Sequence, residues 1–203
     1  DGEGRTYVGD VVLRGSEVLV RGLRSVSFSG SRSRLILAAA LIRPARFEWA
    51  LEKAAELGVA EIYPLKTRRC SARLADGIMD SRLNRWDRIL KEAVKQCGRS
   101  AAPRLHRPQD FSDFLRAEEP ASGAKYILHE KSDRPWRPDQ SALAEKTVLC
   151  VGPEGGWDAV EIERAVEAGY GVFSLGPWVL RAETAMVAAV AIFQHQFHLS
   201  EKA

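Results

Sequence analysis

The run Val148-Leu149-Cys150-Val151-Gly152-Pro153-Glu154-Gly155-Gly156-Trp157-Asp158 leads from an apolar segment, through a Gly/Pro turn, into the start of a helix. Few folds accommodate that order. Asp158 stands at the N-cap with Glu161 three residues on, the spacing of a capping box, and Trp157 and Ile162 occupy the two positions of a hydrophobic staple. The helix therefore begins at Ala159, carries its apolar stripe on Ile162, Ala165 and Val166, and stops at Gly169. A strand feeding a Gly-rich turn feeding a helix belongs to α/β folds, which collect ligands at strand ends where bare backbone allows close approach. The order recurs downstream. Gly171 to Gly176 reads as a short strand and turn, and Leu180-Arg181-Ala182-Glu183-Thr184-Ala185 opens an apolar helix running to about Phe197. Either turn alone is accounted for by a plain βα connection. Together, with Glu154 in one and Arg181 and Glu183 beside the other, they predict a shared crevice.

Gly152 to Gly156, Leu175-Gly176 and Leu180 to Ala185 resemble the SPOUT class of RNA methyltransferases, and more narrowly the RsmE family, which methylates N3 of a uridine in 16S ribosomal RNA. Two earlier groups match as well: Glu56-Leu57-Gly58-Val59 with Ile62 and Pro64, and Glu92-Ala93 with Gln96 and Arg99. The resemblance covers about Arg43 to Phe197. It implies an α/β domain over residues 43–203 with a C-terminal trefoil knot, a rare exception to unknotted topology. Residues 1–42 are then part of a PUA-like, RNA-binding β-barrel. S-adenosylmethionine is the implied cofactor, held by Leu128, His129, Gly152, Pro153, Gly155, Gly156, Leu175, Gly176, Leu180, Thr184 and Ala185. Glu183 or Glu154 takes the proton that leaves N3, and Arg181 stabilises the charge that spreads onto the uracil oxygens. The implied partners are 16S ribosomal RNA or the small ribosomal subunit and a second copy of the chain, docked through the knot domain. Two other readings stay open at this level: a SPOUT enzyme methylating ribose 2′-O on transfer RNA, and a ribosome-associated RNA-binding module without catalysis. A dinucleotide oxidoreductase is poorly supported, since the glycines do not follow G-x-G-x-x-G and the sequence has no P-loop.

The charge pattern points the same way. The net charge is only +3, but between Lys66 and Arg107 there are 12 Lys and Arg against 4 Asp and Glu, a local +8 that leaves −5 elsewhere. Such asymmetry suits a polyanion. Arg68, Arg69 and Arg73 fall on a stretch, Lys66 to Ser81, without periodicity, and a loop of that length is expected to be functional. The helix from Leu83 to Gly98 buries Leu83, Trp86, Leu90, Ala93, Val94 and Cys97, and turns a basic stripe outward. Gln96 and Arg99 join Arg68, Arg69 and Arg73 as expected RNA contacts.

Before that loop, short apolar groups from Thr6 to Leu37 read as four or five strands. Pro44, Phe47, Ala50, Leu51 and Ala54 predict a helix ending at Gly58, and Glu61 to Leu65 a strand. Lys125 to Glu130 is a further strand, followed by a linker from Lys131 to Gln140. The last helix, apolar on nearly every side, is expected in the domain interior, a dimer interface, or both. No run approaches the ~18 apolar residues of a membrane span. Cys70, Cys97 and Cys150 lack metal spacing and read as reduced thiols, so neither a metal nor a membrane is expected, and the location is cytoplasmic.

Overall fold

The computed structural model describes residues 6–26, 34–70, 79–117, 123–135 and 146–200. Two strands, β1 (Thr6–Arg14) and β2 (Glu17–Val26), pair as an antiparallel hairpin that forms its own sheet. The remaining strands are β3 (Arg34–Ala40), β4 (Glu61–Lys66), β5 (Arg104–Leu105), β6 (Gln109–Asp110), β7 (Ala124–Leu128), β8 (Lys146–Val151) and β9 (Gly171–Phe173). They make one sheet in the order β5-β4-β3-β8-β7-β9, with β6 also on β4, and each of its pairings is parallel. Five helices connect and cover it: α1 (Pro44–Glu56), α2 (Met79–Cys97), α3 (Phe111–Arg116), α4 (Ala159–Glu167) and α5 (Ala182–Ser200).

The sheet is buried on both faces, as parallel sheets require. Along β3 the side chains alternate: Leu35, Leu37 and Ala39 pack with Phe47, Leu90, Val190 and Phe193 from α1, α2 and α5, while Ile36 and Ala38 pack with Phe114 and Ala165 from α3 and α4. The result is a three-layer α/β/α arrangement. Its apolar last helix is sandwiched against α1 and the sheet, with Met186, Ala189, Val190 and Phe193 almost fully buried. Gly58 ends α1 with φ +96°, and a Cβ there would meet the Gln194 side chain of α5 at 2.8 Å. Bare backbone at that corner lets the two helices close.

Three differences from the sequence reading have physical causes. Leu35-Ile36-Leu37, grouped with the N-terminal strands, instead forms the middle of the parallel sheet between β4 and β8. An apolar run is compatible with either sheet, and only non-local pairing decides. Cys97, assigned to the buried face of α2, is exposed, because that helix starts at Met79 and its buried face ends at Val94. The two-residue strands β5 and β6 and the six-residue α3 are too short to leave a periodic signal. Ser27, Phe28, Arg73 and residues 136–140 lie outside the described residues.

Candidate active site

Three strand ends supply the site. The turns after β7, β8 and β9 emerge side by side from the carboxyl edge of the sheet, where α/β folds hold ligands. They enclose a cavity of about 410 Å³, within the size range of small-molecule sites. Its wall takes Leu128, His129 and Glu130 from the first turn, Val151 to Trp157 from the second and Ser174 to Gly176 from the third, followed by Trp178 to Ala182 and Ala185.

Local chemistry fixes each turn. Asp158 and Glu161 form the capping box at α4. The Asp158 backbone N–H donates to Glu161 Oε2 at 2.9 Å, and the other Glu161 oxygen accepts from the backbone N–H of Arg68, also at 2.9 Å. Trp157, the staple residue, is buried, and its Nε1 donates to the Leu128 carbonyl at 2.9 Å, joining the second turn to the first. A Cβ on Gly152 would stand 2.9 Å from that indole nitrogen, so the chain must be bare there. Gly156 has φ +68° and faces Glu130, whose Oε1 lies 3.2 Å from where a Cβ would be. The third turn is held to the first by His129, whose backbone N–H donates to the Phe173 carbonyl at 2.8 Å.

A charged group stands at the edge of the cavity. Arg46, in the first turn of α1, lines it, with Nη1 4.0 Å from Glu154 Oε1 and Nε 3.6 Å from Glu183 Oε1. Glu154 also accepts the Arg43 backbone N–H at 3.4 Å. Glu183 is buried at the start of α5, and among the described residues its Oε2 has no hydrogen-bond partner. No group of three or more metal-ligating side chains occurs among the described residues.

An RNA methyltransferase domain model matches residues 29–194 of this chain. The chain is 32% identical over 157 residues to ribosomal RNA small subunit methyltransferase E of Mesomycoplasma hyopneumoniae, covering 77% of itself and 67% of that protein. It is 31% identical over 176 residues to the Bacillus subtilis protein of the same name, covering 82% of itself and 67% of the relative. The chain belongs to the ribosomal RNA small subunit methyltransferase E family. Among solved structures it is similar to the Neisseria gonorrhoeae family member bound to S-adenosylmethionine, with TM-score 0.84, 29% identity, and coverage of 96% of this chain and 80% of that one. A putative methyltransferase from Legionella pneumophila, also in complex with S-adenosylmethionine, superposes with TM-score 0.81 at 32% identity over 96% of this chain and 80% of that one. The fold is thus the parallel α/β sheet of SPOUT methyltransferases, with an antiparallel hairpin in front.

Within this methyltransferase E framework the expected residues fall into separate groups. Leu128, His129, Gly152, Pro153, Gly155, Gly156, Leu175, Gly176, Leu180 and Ala185 line the cavity, as do Arg181 and Glu154. Thr184 points outward and Glu183 sits behind the wall, reaching it through Arg46. Arg68 and Arg69 are half exposed and close to the second turn: Arg68 Nη1 lies 2.9 Å from Asp158 Oδ1, and Arg69 Nη2 3.4 Å from Oδ2. Burial pushes the Asp158 carboxyl up, but the Val160 N–H and the two arginines outweigh it and hold it below the usual carboxylate range. Gly155 matters here too, since a Cβ would approach the Arg69 Cβ at 3.1 Å.

Gln96 and Arg99 lie elsewhere. The Arg99 guanidinium donates to the carbonyls of Ala55 at 2.6 Å and Val59 at 3.2 Å, at the C-terminal end of α1. Burial lowers its pKa from the ordinary arginine value. Nine helical positions, about 14 Å of rise, separate Ala55 from Arg46 and the cavity. Arg99 satisfies the last carbonyls of a helix, a role that a basic residue can fill without any RNA.

The sequence reading passed over Arg46 and Trp178. Arg46 reads as one more cation in an amphipathic helix, because its two partners lie more than 100 positions away. Trp178 is 81% exposed beside the cavity, a large apolar surface open to solvent that the sequence could have flagged.

Proposed function

We propose that this chain methylates N3 of a uridine in the 16S RNA of the small ribosomal subunit, with S-adenosylmethionine as methyl donor. The observation that carries this reading is the convergence of three backbone turns, the second of them rich in glycine, on one cavity lined also by Glu154, Arg46 and Arg181. The cavity fits the donor: Gly152 and Gly156 stand where a Cβ would crowd Trp157 and Glu130, leaving room for close backbone contact. The donor brings a sulfonium-activated methyl group. The protein's task is then to hold the accepting nitrogen in line, to take its proton, and to exclude water.

Glu154 is the proton acceptor in this reading, because it lines the cavity whereas Glu183 does not. Arg181, at the mouth, stabilises charge on the ring oxygens. Arg68 and Arg69 hold phosphates beside the second turn, an arrangement supported by the excess of cations in this part of the chain. The hairpin β1–β2 belongs to a PUA-like RNA-binding unit, and the methyltransferase unit runs from β3 to the C-terminus and contains the trefoil knot. A homodimer through the knot region is part of the same reading, supported by the exposed Trp178, Val179 and Ile192. Among the described residues no helix is long and apolar enough to cross a membrane.

The test is nucleoside analysis of small-subunit RNA from a strain lacking its own family enzyme, with and without this chain. N3-methyluridine should return when the chain is expressed. Its continued absence, with the protein folded and present, would remove the reading.

A further inference from the structure

We infer that Arg46 is a catalytic residue that meets the methyl-accepting base and stabilises the negative charge its ring oxygens carry once N3 has lost its proton. The inference rests on the uridine-N3 reading given above. Among the described residues that line the cavity, Arg46 alone comes from the N-terminal half of the chain; the others run from Leu128 to Ala185. The three turns form the wall for the methyl donor. Arg46 enters from α1, outside the three turns, beside Glu154 and Glu183.

Its setting is not explained by stability. A cation in the first turn of a helix opposes the helix dipole, and α1 has no acidic residue there to offset it. Instead two carboxylates from distant parts of the chain converge on Arg46. Their separations, 3.6 Å to Glu183 and 4.0 Å to Glu154, exceed the ~2.7–2.9 Å of a charge-assisted hydrogen bond. A guanidinium has five N–H donors. Held loosely by Glu183, it keeps donors for a third group in the cavity it lines, and its side chain is 34% exposed.

Uracil N3 lies between two carbonyl groups, so loss of its proton spreads charge onto both oxygens, and a guanidinium donating to one of them from the side away from N3 stabilises that charge while leaving the nitrogen open to the methyl group. The step balances as follows: the N3 proton passes to the Glu154 carboxylate and on to solvent, the N3 lone pair forms the bond to the methyl carbon, and the carbon–sulfur pair returns to sulfur. Glu183 is a positioning residue for Arg46.

The experiment compares wild type, R46A, R46K and the double variant R46A/E183Q, the last removing the buried carboxylate that R46A leaves without its cation. Single-turnover methyl transfer is measured on small-subunit RNA carrying either uridine or 5-fluorouridine at the modified position, whose N3–H is more acidic. Calorimetry gives the S-adenosylmethionine affinity of each protein. R46A and the double variant should slow transfer to uridine by about 100-fold, with cofactor affinity within about twofold of wild type. On 5-fluorouridine the defect should shrink by about tenfold or more, because that base needs less help to ionise. R46K should recover part of the rate. Equal defects on both bases, or a loss of cofactor affinity matching the loss of rate, would overturn the assignment while wild-type activity left the uridine reading intact. Failure of the wild type to modify either RNA would instead overturn that reading, and the role of Arg46 with it.

Discussion

Glu61 and Glu183 are both buried glutamates that meet an arginine, yet their surroundings are built to opposite ends. Glu61, on β4, accepts from Arg34 Nη2 at 2.8 Å and Tyr63 OH at 3.5 Å, and pairs with His106 Nε2 at 2.9 Å. The His106 ring also stacks on Tyr63 with centroids 3.7 Å apart. Both carboxylate oxygens are engaged, and the cluster closes the edge of the sheet. Glu183 has one long ion pair and, among the described residues, one oxygen without a hydrogen-bond partner. A buried charge does not by itself mark a site. The mark is a buried charge whose partners are incomplete and whose cation opens onto a cavity.

Four measurements test that contrast. The largest effect is expected for Glu61→Ala, which strips His106, Arg34 and Tyr63 of their acceptor and should cost about 3 kcal/mol, read as a lower urea midpoint at unchanged slope. A cost under about 0.5 kcal/mol would erase the distinction. Arg99→Ala removes another closed set of contacts and should cost about 2 kcal/mol, while leaving the salt dependence of RNA binding unchanged. A shallower salt slope with unchanged stability would return Arg99 to the RNA surface. Glu183→Gln, which keeps the shape and drops the charge, should move stability by no more than about 0.5 kcal/mol, since Glu183 lacks the short contacts of Glu61.

The finest comparison is in acid. Burial pushes the Glu61 carboxyl up, but the hydrogen bonds from His106 and Arg34 together outweigh it, and the net shift is downward. As pH falls, the unfolded carboxyl takes its proton first. The stability Glu61 contributes is therefore complete above its unfolded pKa of about 4.3 and is lost as pH drops through the lower folded value. Glu61→Gln should flatten that acid limb in a stability profile between pH 3 and 6. An unaltered limb in Glu61→Gln would assign the acid sensitivity to other carboxylates.

What the sequence disclosed is local. Asp158 and Glu161 spell their cap within four residues, Pro44 and Gly58 bracket α1, and the unbroken apolar run from Ala185 to Phe193 foretells a buried helix. The turns could be read because glycine leaves a visible trace wherever backbone must come close. Contacts across long separations left no trace. Arg46 meets Glu183 over more than 130 positions, Leu35 to Leu37 find their sheet by pairing with strands on either side, and Arg99 turns inward to carbonyls that no pattern of charge announces. The basic segment was legible as a composition, not as a set of directions.

Trp157 reaches from the head of α4 to the end of β7, so one indole acts as a rivet through two neighbouring loops. A hollow riveted in this way has its walls set when the chain folds, and a guest that enters need not organise them. The entropic penalty of assembly falls on folding instead of on capture, and heat or denaturant that loosens either loop should slacken both at once.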